Sequence, residues 1–167
     1  MHYPLRHVHK ETGLDYKKTS VLGALIGAGL VLGAGQAQAQ ASAWVGQVKV
    51  SRGIVQLERG GQRYPAPVGL RLKENDVILT EANGSVGLMF NDNSTLSMGP
   101  NGEVLLERYA YDSTTYLGAF DAFVKRGAVS LEAGNLANAA PESIRLKTPQ
   151  AELKGQARNF AVNVEGK

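Results

Sequence analysis

The side chains best suited to acid–base, nucleophilic and zinc chemistry are confined to the start of this chain. His2, His7 and His9 are its only histidines, and it contains no cysteine. Imidazole and thiolate groups supply many of the general bases, activated nucleophiles and zinc ligands of proteins. Serine–histidine and cysteine–histidine arrangements, and zinc sites built on these residues, are therefore excluded from the chain beyond residue 41.

Carboxylates are the remaining candidates for catalysis or metal binding. A suitably spaced pair could act in glycoside hydrolysis. The candidates lie between residues 76 and 121, and they are Asp76, Asp92, Glu103, Glu107, Asp112 and Asp121. None forms a recognisable paired motif, and Asn91-Asp92-Asn93 lacks the spaced acidic series of a calcium loop. The sequence therefore predicts no catalytic residue, no metal site and no cofactor, and a protein that is not an enzyme.

Residues 1–41 have the three parts of a secretory signal peptide. Lys17-Lys18 precedes a glycine-rich apolar run over residues 21–35, and small-residue cleavage sites end at Ala39 and Ala41. This order of basic, apolar and small residues is typical of export signals. We therefore expect cleavage after Ala39 or Ala41, a mature domain over residues 42–167, and a periplasmic or secreted location.

The length of the apolar run and the charge of the remainder bear on membranes and nucleic acids. At 15 residues the run is shorter than the ~20 that a spanning helix needs, so no stable span is expected after cleavage. A retained membrane anchor is the alternative.

The charge of the mature domain is close to neutral. The leader holds four of the 18 basic and two of the 15 acidic residues, which leaves residues 42–167 with a net charge of +1. Without a basic run, nucleic acid is not an expected partner.

From Trp44 onward, apolar and polar residues alternate as they do in strands with one buried face. No window shows a convincing helical period, and turn signals such as Gly60-Gly61 and Asn83-Gly84 separate the runs. About ten short strands at this spacing predict an all-β fold, a single antiparallel β-sandwich or β-roll domain. The residues expected to face its core include Phe90, Leu96, Val129, Leu146 and Phe160.

Four segments of this β-domain resemble the FecR domain, a periplasmic β-domain of bacteria. They cover roughly residues 45–165 and lie at residues 53–55 with 68–72, at residues 75–80, at residues 84–100, and at residues 125–129 with 146–151 and 160–162. Asn75 and Asn93 stand where the family usually has glycine, and both tolerate the left-handed conformation of a turn. Gln156-Ala157-Arg158 stands where the family usually has Arg-Gly-Thr.

The resemblance implies a binding module without enzymatic activity, contacting an envelope protein or a surface ligand in envelope signalling or regulation. Signalling members carry a cytoplasmic anti-sigma region and a transmembrane helix before this domain, and residues 1–41 are expected to hold neither. The alternative is a structural or assembly factor of the cell envelope that uses exposed β-edges to pair with another β-protein.

Aromatic residues concentrate on both sides of the polar loop Asp112-Ser113-Thr114-Thr115. Aromatic side chains favour interfaces, so this segment is the candidate partner surface, with core packing as the alternative. Tyr111 and Tyr116 flank the loop and are the expected exposed anchors. The candidate partner-binding residues are Tyr109, Tyr111, Tyr116 and Arg158.

The processing of the leader is directly measurable. N-terminal sequencing of the exported protein should begin at Gln40 or Ser42, because cleavage is expected after Ala39 or Ala41. An exported protein that retains Met1 would show instead that the apolar run is a membrane anchor.

Overall fold

The computed structural model describes residues 44–155 and 158–166, so the predicted signal peptide and residues 156–157 lie outside it. Among the described residues no helix is long and apolar enough to cross a membrane. A one-turn helix α1 (Leu136–Ala139) precedes a 3₁₀ turn (Pro141–Ser143). The strands are β1 (Gly46–Arg52), β2 (Val55–Arg59), β3 (Gln62–Pro65), β4 (Arg71–Leu72), β5 (Val77–Thr80), β6 (Ser85–Phe90), β7 (Thr95–Met98), β8 (Glu103–Tyr111), β9 (Gly118–Glu132), β10 (Ile144–Lys147), β11 (Glu152–Lys154) and β12 (Asn159–Val164).

These strands form one curled sheet whose two halves share the long strand β9. The first half has the order β3-β2-β5-β8-β9-β10-β11, and the second has the order β12-β9-β7-β6-β1-β4. The pairing of β9 with β10 is parallel, and the other strand pairs described are antiparallel. The edges of this sheet are β3, β4, β11 and β12.

The core consists of aliphatic and aromatic rows that run across each half of the sheet. Successive register positions place buried side chains next to one another, and both rows belong to one hydrophobic cluster. The row of the second half is Val48, Leu88, Leu96, Leu131 and Phe160. The row of the first half is Leu57, Ile78, Val104 and Val124. Strict alternation along each strand is what brings these residues to one face.

Four of the passages of the chain between the two halves meet at a single corner. These four lie between β1 and β2, between β5 and β6, between β7 and β8, and inside β9. Thr80 links two of them, because its hydroxyl donates to the Gly99 carbonyl at 2.7 Å and accepts the Gly102 N–H at 2.8 Å. The Gly99 N–H in turn donates to the Ala128 carbonyl of β9 at 3.0 Å. These bonds join three of the four passages.

Two glycines are required where the passages touch. Gly127 has φ +92°, and a Cβ added there would lie 2.6 Å from the Cα of Gly102. Gly53 has φ +64°, and its Cβ would overlap the Asn83 carbonyl. Both the backbone conformation and the lack of space exclude a side chain at these positions.

The predicted fold class is confirmed, with twelve strands where about ten were expected. β4 and β11 have only two and three residues, too few for a recognisable alternation. The parallel β9–β10 pair is a departure from the antiparallel prediction, and α1 is too short to show a helical period. The Gly60-Gly61 hairpin is confirmed, and the five residues expected in the core are all buried.

Alanine substitutions separate the two reasons for glycine at the corner. Gly127→Ala should cost about 2–4 kcal/mol of unfolding free energy, because strain at positive φ and overlap with Gly102 add. Gly60→Ala is the control, since Gly60 has φ +59° and no atom within 4 Å of an added Cβ. It should cost about 1–2 kcal/mol from strain alone. Equal losses in urea unfolding would contradict close contact at the corner.

Candidate functional site

Asp76 is a buried carboxylate that ties strand β2 to the start of β5. It is 0% exposed, and Arg59 Nε and Nη2 each lie 2.7 Å from one of its oxygens. The Lys73 N–H donates to the same carboxylate at 2.7 Å. Asn75, just before it, has φ +65°, as expected for an asparagine in place of glycine. The paired arginine makes the burial of its charge tolerable.

Asp92 is also fully buried, but here hydroxyl groups take the place of a cation. The Ser94 hydroxyl donates to its carboxylate at 2.6 Å and the Tyr109 hydroxyl at 3.0 Å. Tyr109 in turn accepts the Asp92 N–H at 2.8 Å, and Ser94 accepts the Gly134 N–H at 2.9 Å. No basic side chain pairs with Asp92 in the described part of the chain. The network joins the β6–β7 turn to β8 and to the segment after β9.

Tyr109, predicted above as a partner-binding residue, therefore belongs to the core, and that prediction is corrected. It is 8% exposed and packs on Phe90 and Phe120, with ring centroids 5.4 and 5.8 Å away. Burial raises the pKa of its hydroxyl well above the ordinary value, and the charge of Asp92 adds to the rise. A partner does not reach a residue held in this way.

Tyr111 and Tyr116 lie together at the tip of the β8–β9 hairpin. Tyr116 is 49% exposed, Tyr111 is half-buried, and their ring centroids are 6.5 Å apart. Leu117, which the aromatic pattern did not indicate, is 53% exposed beside them. Leu117 differs from the buried leucines of the strands by its position in the tip of a hairpin. The sequence pattern does not show where that tip lies, so it could not identify this leucine as exposed. We call Tyr111, Tyr116 and Leu117 the hairpin-tip surface.

The loop beneath the hairpin-tip surface is closed by Asp112. Its carboxylate accepts the N–H groups of Thr114 and Thr115 at 2.7 and 3.1 Å. The backbone N–H and carbonyl of Asp112 also bond across the loop, to Leu117 at 2.9 Å and to Tyr116 at 2.8 Å. The two side-chain bonds, that to Thr114 first, lower the pKa of Asp112. The loop is therefore ordered by its own hydrogen bonds.

Arg158, the fourth candidate, lies just before β12. Its side chain is exposed and donates to the Asn138 side chain in α1, and its carbonyl accepts the Ala133 N–H at 2.7 Å. No hydrogen bond connects it with the hairpin-tip surface among the described residues. The structure thus brings Tyr111 and Tyr116 together, and it does not bring Arg158 into their cluster.

The sequence model of the FecR protein family matches residues 76–167, which is more than half of the chain. The chain belongs to the FecR family. Neither a curated protein nor a solved structure matches it. FecR proteins are generally involved in signalling at the cell envelope, and the family is a regulatory one rather than one known for catalysis.

The FecR-matched region contains Asp76, Asp92, the hairpin tip and three of the four passages that meet at the corner. Asp76, Thr80 and Asp92 all serve the scaffold through the contacts described above. The described residues hold no group of three histidines, cysteines, aspartates or glutamates placed to bind a metal ion. Exposed surfaces that the scaffold positions, the hairpin tip above all, are therefore the candidates for binding.

Removing one hydroxyl tests the Asp92 network. Tyr109→Phe keeps the ring packing but takes a donor from a buried carboxylate, so it should cost about 1–3 kcal/mol in urea unfolding. Tyr64→Phe is the control, because its hydroxyl bonds to Gln62 on the exposed strand β3, and it should cost under ~0.5 kcal/mol.

The pH dependence gives a second readout. The folded state keeps Tyr109 protonated, so its contribution to stability is complete below about pH 10 and is lost as the pH rises further. Unfolding free energy should fall more steeply above pH 10 in the unmodified protein than in Tyr109→Phe. Identical slopes would show that Tyr109 ionises freely in the folded state.

Proposed function

We propose that this FecR-family protein is a non-enzymatic binding module of the periplasm, and that its hairpin-tip surface contacts a protein partner in envelope signalling or regulation. The observation that supports this most is the backbone at Tyr116. Its φ is +59°, in the left-handed region that aromatic residues rarely adopt, and yet half of its side chain faces solvent. Strain at an exposed residue is characteristic of a functional position.

The strain at Tyr116 has no evident benefit for folding. A left-handed conformation costs about 1–2 kcal/mol for a residue with a side chain. Asparagine would adopt it more easily, as Asn75, Asn93 and Asn101 do elsewhere in this domain. A tyrosine retained there is explained if its ring contributes to binding, where tyrosine anchors are frequent.

The order of the loop favours binding as well. Asp112 and the cross-loop backbone bonds hold Tyr116 and Leu117 in place before any partner arrives. A preorganised surface loses less conformational entropy on association than a flexible loop does. The hairpin-tip surface thus combines exposed apolar area with a defined shape.

A structural or assembly role is the second candidate, and the outer edge of β12 favours it. β12 pairs with β9 on one side, and no other described strand pairs with it. The Ala133 N–H bonds to the Arg158 carbonyl, and in an antiparallel pair every second residue of a strand bonds to its neighbour. The backbone groups of Asn159, Ala161 and Asn163 therefore point away from β9, outward from the sheet. Such an edge can accept a strand of another β-protein.

Site-specific photo-crosslinking in the producing cell distinguishes the two candidates. A photoreactive phenylalanine analogue at Leu117 should yield a discrete protein adduct. The same analogue at Tyr64, which is 44% exposed on β3, should yield none. Adducts from Asn163 on β12 but not from Leu117 would favour the assembly role and contradict the hairpin-tip proposal.

A single substitution then tests the role of the strained tyrosine. Tyr116→Asn should keep or raise the melting temperature, because asparagine fits positive φ, while the adduct from position 117 falls at least fivefold because the aromatic anchor is lost. An unchanged adduct yield would show that Tyr116 does not contribute to binding. A sharp fall in melting temperature would show that the ring serves the fold.

A further inference from the structure

Trp44 lies just before β1, which pairs with the edge strand β4. It is outside the segment that the family model matches. It is 41% exposed and is the only tryptophan of the chain. Three cationic groups surround its ring: Lys73 Nζ at 4.6 Å from the centroid, Arg59 Cζ at 5.7 Å and Arg71 Cζ at 5.8 Å. Cations gather at an indole face because of its negative quadrupole.

The three cations are not equivalent. Arg59 is neutralised by its two bonds to Asp76 and is anchored further by the Arg71 carbonyl at 2.9 Å. The side chains of Arg71 and Lys73 make no ion pair and no hydrogen bond within the part of the chain that the structure describes. The adjacent Glu74 bonds to the Tyr109 N–H at 2.6 Å. Two charges thus remain available beside an exposed ring.

A depression of about 410 Å³ opens next to this cluster. Trp44 and Arg71 form part of its wall, and amide side chains form another part: Gln47, Asn91 and Asn93. Asn91 is fixed by a bond from its Nδ2 to the Trp44 carbonyl at 2.6 Å. The depression thus combines an indole, several amides and the cation of Arg71, and Lys73 stands beside the same indole. This combination matches a ligand with an apolar face, hydroxyl groups and negative charges.

We propose that this depression binds an anionic glycan, with Trp44 against a sugar ring, the amides on hydroxyl groups, and Arg71 with Lys73 on carboxylates or phosphates. An acidic peptide fits less well. The backbone here is already paired, since Val45 donates to the Leu72 carbonyl and Asn91 to the Val45 carbonyl. A peptide therefore cannot pair with the backbone of Val45 beside Trp44, whereas amides suit hydroxyls because each offers both donor and acceptor.

The site goes beyond the proposed partner contact and can be tested independently, because the hairpin-tip residues do not line the depression. Fluorescence from the single tryptophan reports directly on it. Titrating the exported protein with an oligogalacturonide, which carries a carboxylate on every sugar, should change the Trp44 emission saturably. A neutral maltooligosaccharide of equal length should leave the emission unchanged.

Two double variants with the same charge change provide the matched comparison. Arg71→Gln with Lys73→Gln should weaken oligogalacturonide binding at least tenfold. Lys49→Gln with Arg52→Gln removes two exposed cations of β1 that do not surround Trp44, and it should weaken binding less than twofold. Both variants should melt near the unmodified protein, and Tyr116→Asn should bind as the unmodified protein does.

The remaining probes decide the ligand class. A phosphomannan that binds more tightly than the oligogalacturonide would support an anionic glycan and identify phosphate as its charged group. Poly-L-glutamate binding as tightly as either glycan would overturn the glycan assignment in favour of an acidic peptide. No saturable change, equal binding of the neutral oligosaccharide, or equal losses in the two double variants would overturn the site.

Discussion

The structure depends on one constraint: four segments of backbone cross between the halves of the sheet at a single corner. Gly127 and Gly53 allow the segments to touch, and the Thr80 hydroxyl satisfies a carbonyl and an N–H that the turns would otherwise leave unpaired. Because β9 runs through this corner, its first part pairs with β8 in the first half and its last part pairs with β7 in the second half. The register of the core rows, and hence the face on which each side chain lies, follows from where the strands leave the corner.

The two fully buried carboxylates secure the remainder of the domain in different ways. Asp76 is held by an arginine, and the same arginine stands beside Trp44, so one ion pair connects the scaffold to the proposed glycan site. Asp92 is held by hydroxyls of Ser94 and Tyr109, and Tyr109 lies two residues from the hairpin tip. The two fully buried aspartates of the FecR-matched region are thus structural, and the surfaces available for binding lie beside them.

Alternation and turn residues were sufficient to predict the fold class, the Gly60-Gly61 hairpin and the core positions, because each depends on local sequence. The parallel β9–β10 pair was not predictable, since pairing direction depends on how β10 returns after α1. Within the candidate site, spacing indicated Tyr111 and Tyr116 correctly as neighbours of a polar loop. It misplaced Tyr109, because alternation does not reveal that a tyrosine hydroxyl has a buried carboxylate as its partner.

Native-state amide hydrogen exchange tests most directly whether the corner is the constraint on which the fold depends. The amides of Thr80, Gly99 and Gly102 donate to the Gly102 carbonyl, the Ala128 carbonyl and the Thr80 hydroxyl. They should exchange only through global unfolding, with the same free energy and urea dependence as the whole domain. Amides of the hairpin loop, such as Thr114, should exchange through smaller local openings. Corner amides that exchange through local openings while the core rows stay protected would contradict this account.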